Sequence, residues 1–235
     1  MNNYFETIFF LLSYILFFGL LLIGKAKKSN RLVGEFQLVK DHGFLIKLHI
    51  AGIFLFGIFP FLYTDIKSLQ LRQLSIYAVF ITIVVVCVTA IFSQHVSRKD
   101  FLKKEKYLTK KIQADNTLFR YFLIRTLFIC SYELWFRGFL LNNLIAEYNV
   151  EIAITVNLFL YALLHTVNGK KEVFSCIPFG LLLCLLSITT ESFIPAAIIH
   201  LSLTLTYELN FLLLVKSKTF FSYDNIRHRG YRIPG

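Results

Sequence analysis

The chain has 235 residues, 56% of them hydrophobic and 17% aromatic, with a mean hydropathy of +0.63 and a formal net charge of +11. Soluble domains are about 45–50% apolar, so this composition excludes a water-soluble globular protein and predicts one membrane domain over residues 1–235, an all-α polytopic helical bundle. The basic residues fall in loops between apolar runs, a mark of membrane topology, so nucleic acid is not expected as a partner.

Seven hydrophobic runs reach the length that a helix needs to cross a bilayer, roughly 20 residues. They cover 5–24, 44–63, 74–93, 118–145, 150–167, 173–190 and 193–215. The first run lacks the basic leader and small-residue cleavage site of a signal peptide and reads as a retained anchor. Lys25, Lys27, Lys28, Arg31 and Lys40 follow it, and seven bases from Arg98 to Lys111 follow the third run. Lys170 and Lys171 follow the fifth, and Lys216, Lys218, Arg227, Arg229 and Arg232 follow the seventh. Every basic loop falls on one side, which predicts an outside N-terminus and a cytoplasmic C-terminus. Residues 1–117 then form three spans and a basic cytoplasmic loop, 118–215 a four-span core, and 216–235 a basic cytoplasmic tail. Within the loop, 94–116 reads as a surface helix with Phe101, Tyr107 and Leu108 as interfacial contacts. The tail suits anionic headgroups, so membrane lipids are expected partners.

The four cysteines, Cys87, Cys130, Cys176 and Cys184, lie in or beside apolar runs without metal-knuckle spacing and read as packing residues. Cys130 stands apart because it lies one helical turn before Glu133.

Charged and polar groups inside the core are the candidates for chemistry. Ionisable groups at membrane depth cost about 2.5–3.5 kcal/mol each on insertion scales. Glu133 and Arg137 are four residues apart, on one helix face, and form either a structural pair or part of a site. Tyr161 and His165 have the same spacing on the fifth run, and His200, Thr204 and Glu208 form one polar stripe on the seventh. Two histidines and a carboxylate on separate helices suit a metal or proton-transfer site. A catalytic zinc site takes about three protein ligands, which His165, His200 and one acid (Glu133, Glu172 or Glu208) would supply, Glu133 first among them. The alternative is no metal, with a Glu and a His activating water or another nucleophile. The soluble H-E-x-x-H pattern is absent, so either site has to be assembled by folding. Straight helices would leave His165 and His200 about 12 Å apart in depth, with Pro195, Pro178 and Gly180 as the places for a compensating bend.

The sequence Tyr132-Glu133-Leu-Trp-Phe136-Arg137-Gly138 is similar to an E-E-x-x-x-R motif that continues F-R-G. Tyr161-Ala-Leu-Leu-His165 is similar to F-x-x-x-H, and His200-Leu-Ser-Leu-Thr204 to H-x-x-x-N. In this order and on these runs, the three resemble the motifs of the CPBP family (CAAX-processing and bacteriocin-processing, or Abi), polytopic intramembrane proteases. The resemblance covers roughly 118–210 and implies catalytic roles for Glu133, Arg137, His165, His200 and Thr204. It also implies a multi-pass protein of the bacterial plasma membrane acting as a metal-dependent, protease-like hydrolase on membrane-embedded or lipid-linked peptides.

Three positions depart from the family pattern. Tyr132 replaces the acid assigned as the base, Thr204 replaces an Asn assigned to the oxyanion, and Tyr161 replaces a Phe. A tyrosine is a poor general base at neutral pH. Glu133 would inherit that role only through a helix rotation of about 100°. The aromatic-Glu pair, with Glu172 and Glu208 seven and eight residues beyond the two histidines, resembles a subgroup that includes the membrane component of a Gram-positive lipoprotein N-acylation system. That likeness implies acyl transfer on lipoproteins, a partner protein, and Cys130 or Ser131 as nucleophile candidates. A third reading is a non-catalytic membrane partner or bacteriocin-immunity protein.

Overall fold

The structure, a computed structural model, describes residues 3–34, 39, 41–64, 73–104 and 116–229. Helix α1 (Asn3–Ala26) has Glu6 in its first turn and Lys25 in its last, each suited to the helix dipole. Helix α2 (His42–Gly52) starts at Asp41, whose Oδ1 accepts from the Phe44 amide at 2.9 Å. It runs on through a π turn (Ile53–Ile58) and a 3-10 turn (Phe59–Leu62). Helix α3 is Ile76–Lys104. Helix α4 (Asn116–Glu133) passes through a second π turn (Leu134–Leu140) into α5 (Leu141–Glu147), making one continuous run. Helix α6 (Val150–His165) is capped by Asn149, which accepts from the Ile152 amide at 2.9 Å, and ends in a 3-10 turn (Thr166–Asn168). Gly169, at φ 108°, turns the chain into α7 (Lys170–Thr190), and α8 (Ile194–Arg229) completes the bundle.

The predicted all-α bundle is what forms: the helices follow all seven apolar runs, and six helices among the described residues are long and apolar enough to cross a membrane. The remaining run, 116–147, carries Arg120, Arg125, Glu133 and Arg137. Its charges disqualify it by composition, and its central stretch from Trp135 to Leu141 is fully surrounded by the other helices.

Two expectations change. Helix α3 continues to Lys104 without a separate surface helix starting at 94, and Phe101 is buried edge-on against Phe211 at 6.0 Å instead of meeting an interface. Tyr107 and Leu108 lie outside the described residues. Helix α8 itself runs on past 216. Finally, neither proline breaks a helix: Pro178 lies within continuous α7, and Pro195 starts α8, where its missing N–H costs no hydrogen bond. The departures from α geometry are the two π turns, which pack against each other, and the 3-10 turns Phe59–Leu62 and Thr166–Asn168.

Small residues make the close helix contacts. Ala78, Thr82, Thr89, Ser93 and Ser97 form a buried stripe on α3, and α8 lies along it. Ser93 donates to the Leu203 carbonyl at 2.5 Å, Ser202 to the Val86 carbonyl at 3.2 Å, and Asn210 bonds Ser97. Gly52 and Gly57 let α2 approach α4, because a Cβ on either would collide with Phe128 or with Ser131. Phe56 thereby reaches the centre of the core, 5.0 Å from the Trp135 ring and 5.8 Å from that of Tyr132. Replacing Phe56 with Ala should cost about 3–5 kcal/mol, whereas Ile58→Ala on the lipid-facing side should stay within about 0.5 kcal/mol. Unfolding of the purified protein in detergent micelles measures both.

Candidate functional site

Glu133 is the last residue of α4, and the π turn that follows changes the direction of every later side chain in the run. Glu133 and Arg137 are both fully buried. The Arg137 Nη1 lies 3.1 Å from Oε2 and 3.3 Å from Oε1 of Glu133, and Nη2 donates to the Gly180 carbonyl at 3.4 Å. The guanidinium sits 4.6 Å from the centre of the Tyr161 ring, a cation–π contact in a dry setting. Gly180 makes this possible, since a Cβ there would strike Leu158 and Tyr161.

His200, in the second turn of α8, places Nδ1 2.6 Å from Glu133 Oε1. An ionised carboxylate only accepts, so Nδ1 is assigned the proton and Nε2 the lone pair. The rings of Phe179, Tyr132 and Tyr161 surround the imidazole at 5.7, 5.8 and 6.4 Å, leaving it 13% exposed. Tyr132 and Glu133 therefore both reach His200, Tyr132 through its ring and Glu133 through its carboxylate. The Tyr132 hydroxyl is buried and has no hydrogen-bond partner among the described residues.

A second His–carboxylate pair forms at the end of α6. His165 Nδ1 lies 3.0 Å from Glu172 Oε1, which also accepts from Asn168 Nδ2 at 2.6 Å. Arg31, in the loop after α1, is 3.3 Å from Glu172 Oε2, and Asn30 bonds Asn168 at 2.8 Å. This cluster is partly open, with Glu172 36% and Arg31 31% exposed. The Tyr161 ring lies 4.7 Å from that of His165 and 6.4 Å from that of His200, so one tyrosine packs beside both imidazoles.

The remaining candidates separate. Thr204 lies half-buried one turn beyond His200. Glu208 lies outside the His200 cluster: it accepts from the Tyr121 hydroxyl at 3.0 Å and pairs with Arg125 at 3.4 Å, and Arg125 contacts His49 Nε2 at 3.0 Å. Cys130 is a half-buried free thiol, and Ser131 packs on Gly57. The sequence reading missed Arg31, Asn168, Arg125, Tyr121 and His49. Arg125 was the most accessible of these, being a charge within an apolar run two turns before Glu133.

Each imidazole turns Nδ1 to a different carboxylate, and among the described residues no group of three His, Cys, Asp or Glu stands ready to hold a metal ion. The arrangement offers a buried carboxylate–imidazole dyad whose Nε2 has no hydrogen-bond partner among the described residues, and a second dyad near the helix ends.

The family model described as Type II CAAX prenyl endopeptidase Rce1-like matches residues 114–206. This segment contains α4, the π turn, α5, α6, α7 and the start of α8, and so holds Glu133, Arg137, His165 and His200. The chain is similar to these membrane proteases over that segment, less than half its length, and the CPBP resemblance of the three motifs is matched there. No curated protein and no solved structure matches the chain.

Removing one member of a buried ion pair leaves the other charge uncompensated. Arg137→Leu should therefore destabilise the protein by about 3–5 kcal/mol, and adding Glu133→Gln should recover much of that loss. A double-mutant cycle of unfolding in micelles reads the coupling; additive losses would mean that the two side chains are independent.

Proposed function

We propose that the protein is a CAAX-type intramembrane endopeptidase that hydrolyses an amide bond in a lipid-linked or membrane-embedded peptide, with His200 as its base. The observation that carries this reading is the 2.6 Å contact between His200 Nδ1 and Glu133, backed by Arg137. In this reading His200 Nε2 takes a proton from water as the oxygen attacks the carbonyl carbon. The imidazolium then returns the proton to the amide nitrogen as the C–N bond breaks, releasing an acid and an amine. Glu133 fixes the tautomer and ring orientation and compensates the transient imidazolium, while Arg137 holds Glu133 in place. His165 is held by Glu172 near the helix ends, on the partly open side of the site. Tyr132, in place of the family's acid, is not asked to act as a base, and no step is routed through a metal.

Acyl transfer on lipoproteins, with a partner protein, is the second reading. It is favoured by the three aromatic rings around His200, a dry setting in which an amine or hydroxyl would compete well with water. The same dyad would then deprotonate that nucleophile.

Two measurements test these readings. With a fluorogenic lipidated peptide and the purified protein, His200→Ala and Glu133→Gln should each lower turnover by about 10²–10⁴-fold. Chelation of divalent metals distinguishes two forms of the scheme: unchanged turnover leaves the dyad acting alone, and loss of turnover assigns a metal to the site. Mass spectrometry of lipoproteins from a strain lacking the protein, complemented with wild type or His200→Ala, then separates the two reactions. Truncated peptides point to hydrolysis and a changed N-terminal acylation state to acyl transfer. Full complementation by His200→Ala would sink both.

A further inference from the structure

A cleft of about 320 Å³ opens between α1, α5 and α6 at the end of the bundle away from the basic loops. Its volume lies at the low end for small-molecule sites, which hold roughly 300–1,000 Å³. Trp135 packs against Phe10 and Tyr14 of α1, whereas Glu133 meets His200 of α8, so the cleft lies on the other side of this run from His200. Nothing in the proposed hydrolysis uses it.

The lining is graded. At the mouth stand Glu6, in the first turn of α1, and Glu147, the last residue of α5. One turn below Glu147, the Asn143 amide nitrogen is buried without a hydrogen-bond partner among the described residues. Deeper, Leu140 and Leu160 lead to Trp135. The polar groups at the floor are already used: the Trp135 indole donates to Ser13 at 3.1 Å, and the Tyr14 hydroxyl donates to the Leu160 carbonyl at 2.8 Å. The floor therefore presents apolar surface. Among the described residues no Lys, Arg or His lines the cleft, in a chain with 25 Lys and Arg against 14 Asp and Glu.

We propose that this cleft binds a long-chain amphiphile bearing a primary ammonium group. The ammonium lies at Glu6 and Glu147, where charge-assisted hydrogen bonds hold it. A carbonyl just below it accepts from Asn143, and the alkyl chain runs past Leu140 and Leu160 to Trp135. Two carboxylates disfavour an anionic headgroup at the same place, which sets the selectivity. Two sources carry this chemistry: the free N-terminus of a lipid-modified peptide, and an amine-headgroup lipid.

The chain has a single tryptophan, and it lies at the floor, so its emission reports occupancy. Purified full-length protein in micelles is titrated with a chain-brominated alkylamine and with the alcohol of the same chain. The amine should quench Trp135 saturably at about tenfold lower concentration than the alcohol. The double variant Glu6→Gln/Glu147→Gln should abolish that difference while its unfolding temperature stays at the wild-type value. Equal quenching by the two probes, or an unchanged preference in the double variant, overturns the proposal. His200→Ala should keep the preference, so failure here and failure of the hydrolase reading are distinguishable. Competition by an S-alkylated dipeptide with a free N-terminus assigns the site to lipid-modified peptides, and competition by an ethanolamine phospholipid assigns it to a headgroup lipid. Competition by neither restricts binding to synthetic amines and overturns the proposal.

Discussion

The rest of the core is arranged around one buried ion pair. Glu133 and Arg137 have no access to solvent, and a lone charge at that depth would be costly. Their mutual compensation recruits three other elements: the Gly180 carbonyl from α7, the Tyr161 ring from α6, and His200 from α8. Each supplies what the pair lacks in a dry interior, namely an acceptor for the guanidinium, a polarisable face, and a donor for the carboxylate. The histidine that carries the proposed chemistry is thus also one of the groups that make the buried carboxylate tolerable. Stability and reactivity are difficult to separate at this site.

Two π turns meet beside the pair. In α2 and again after α4, the helix admits an extra residue; Phe56 joins the two irregular segments, while Gly52 and Gly57 let the first run approach Phe128 and Ser131 of α4. Such turns are rarely stable in isolation and often mark functional positions. Here they are held by aromatic packing, with Phe56, Trp135 and Phe136 in mutual contact. The N-terminal helices, which carry none of the three motifs, contribute this support.

What the sequence revealed followed the range of each interaction. The helices were legible because crossing a bilayer demands long apolar runs, and even the charged run at 118–145 was long enough to stand out. The Glu133–Arg137 pair was legible because four residues is one helical turn. His165 and Glu172, seven apart across two helices, required the chain to leave helical geometry, and the glycine at 169 was the available sign of that. The contact of Glu133 with His200 spans 67 residues and depends on how α4 and α8 meet, which no local pattern encodes. The same holds for Arg31, which counted in the sequence only as loop charge and in the structure braces Glu172.

Helices α4 and α8 are joined twice, by Glu133 with His200 and by Arg125 with Glu208. The two joints are eight residues apart on each helix, and the helices run in opposite directions. Adding or deleting one residue inside either interval would rotate one joint by about 100° relative to the other, so both could not close together. The two joints thus constrain the lengths of both intervals together. Insertions and deletions among related chains should therefore be filtered from 125–133 and 200–208 before substitutions are.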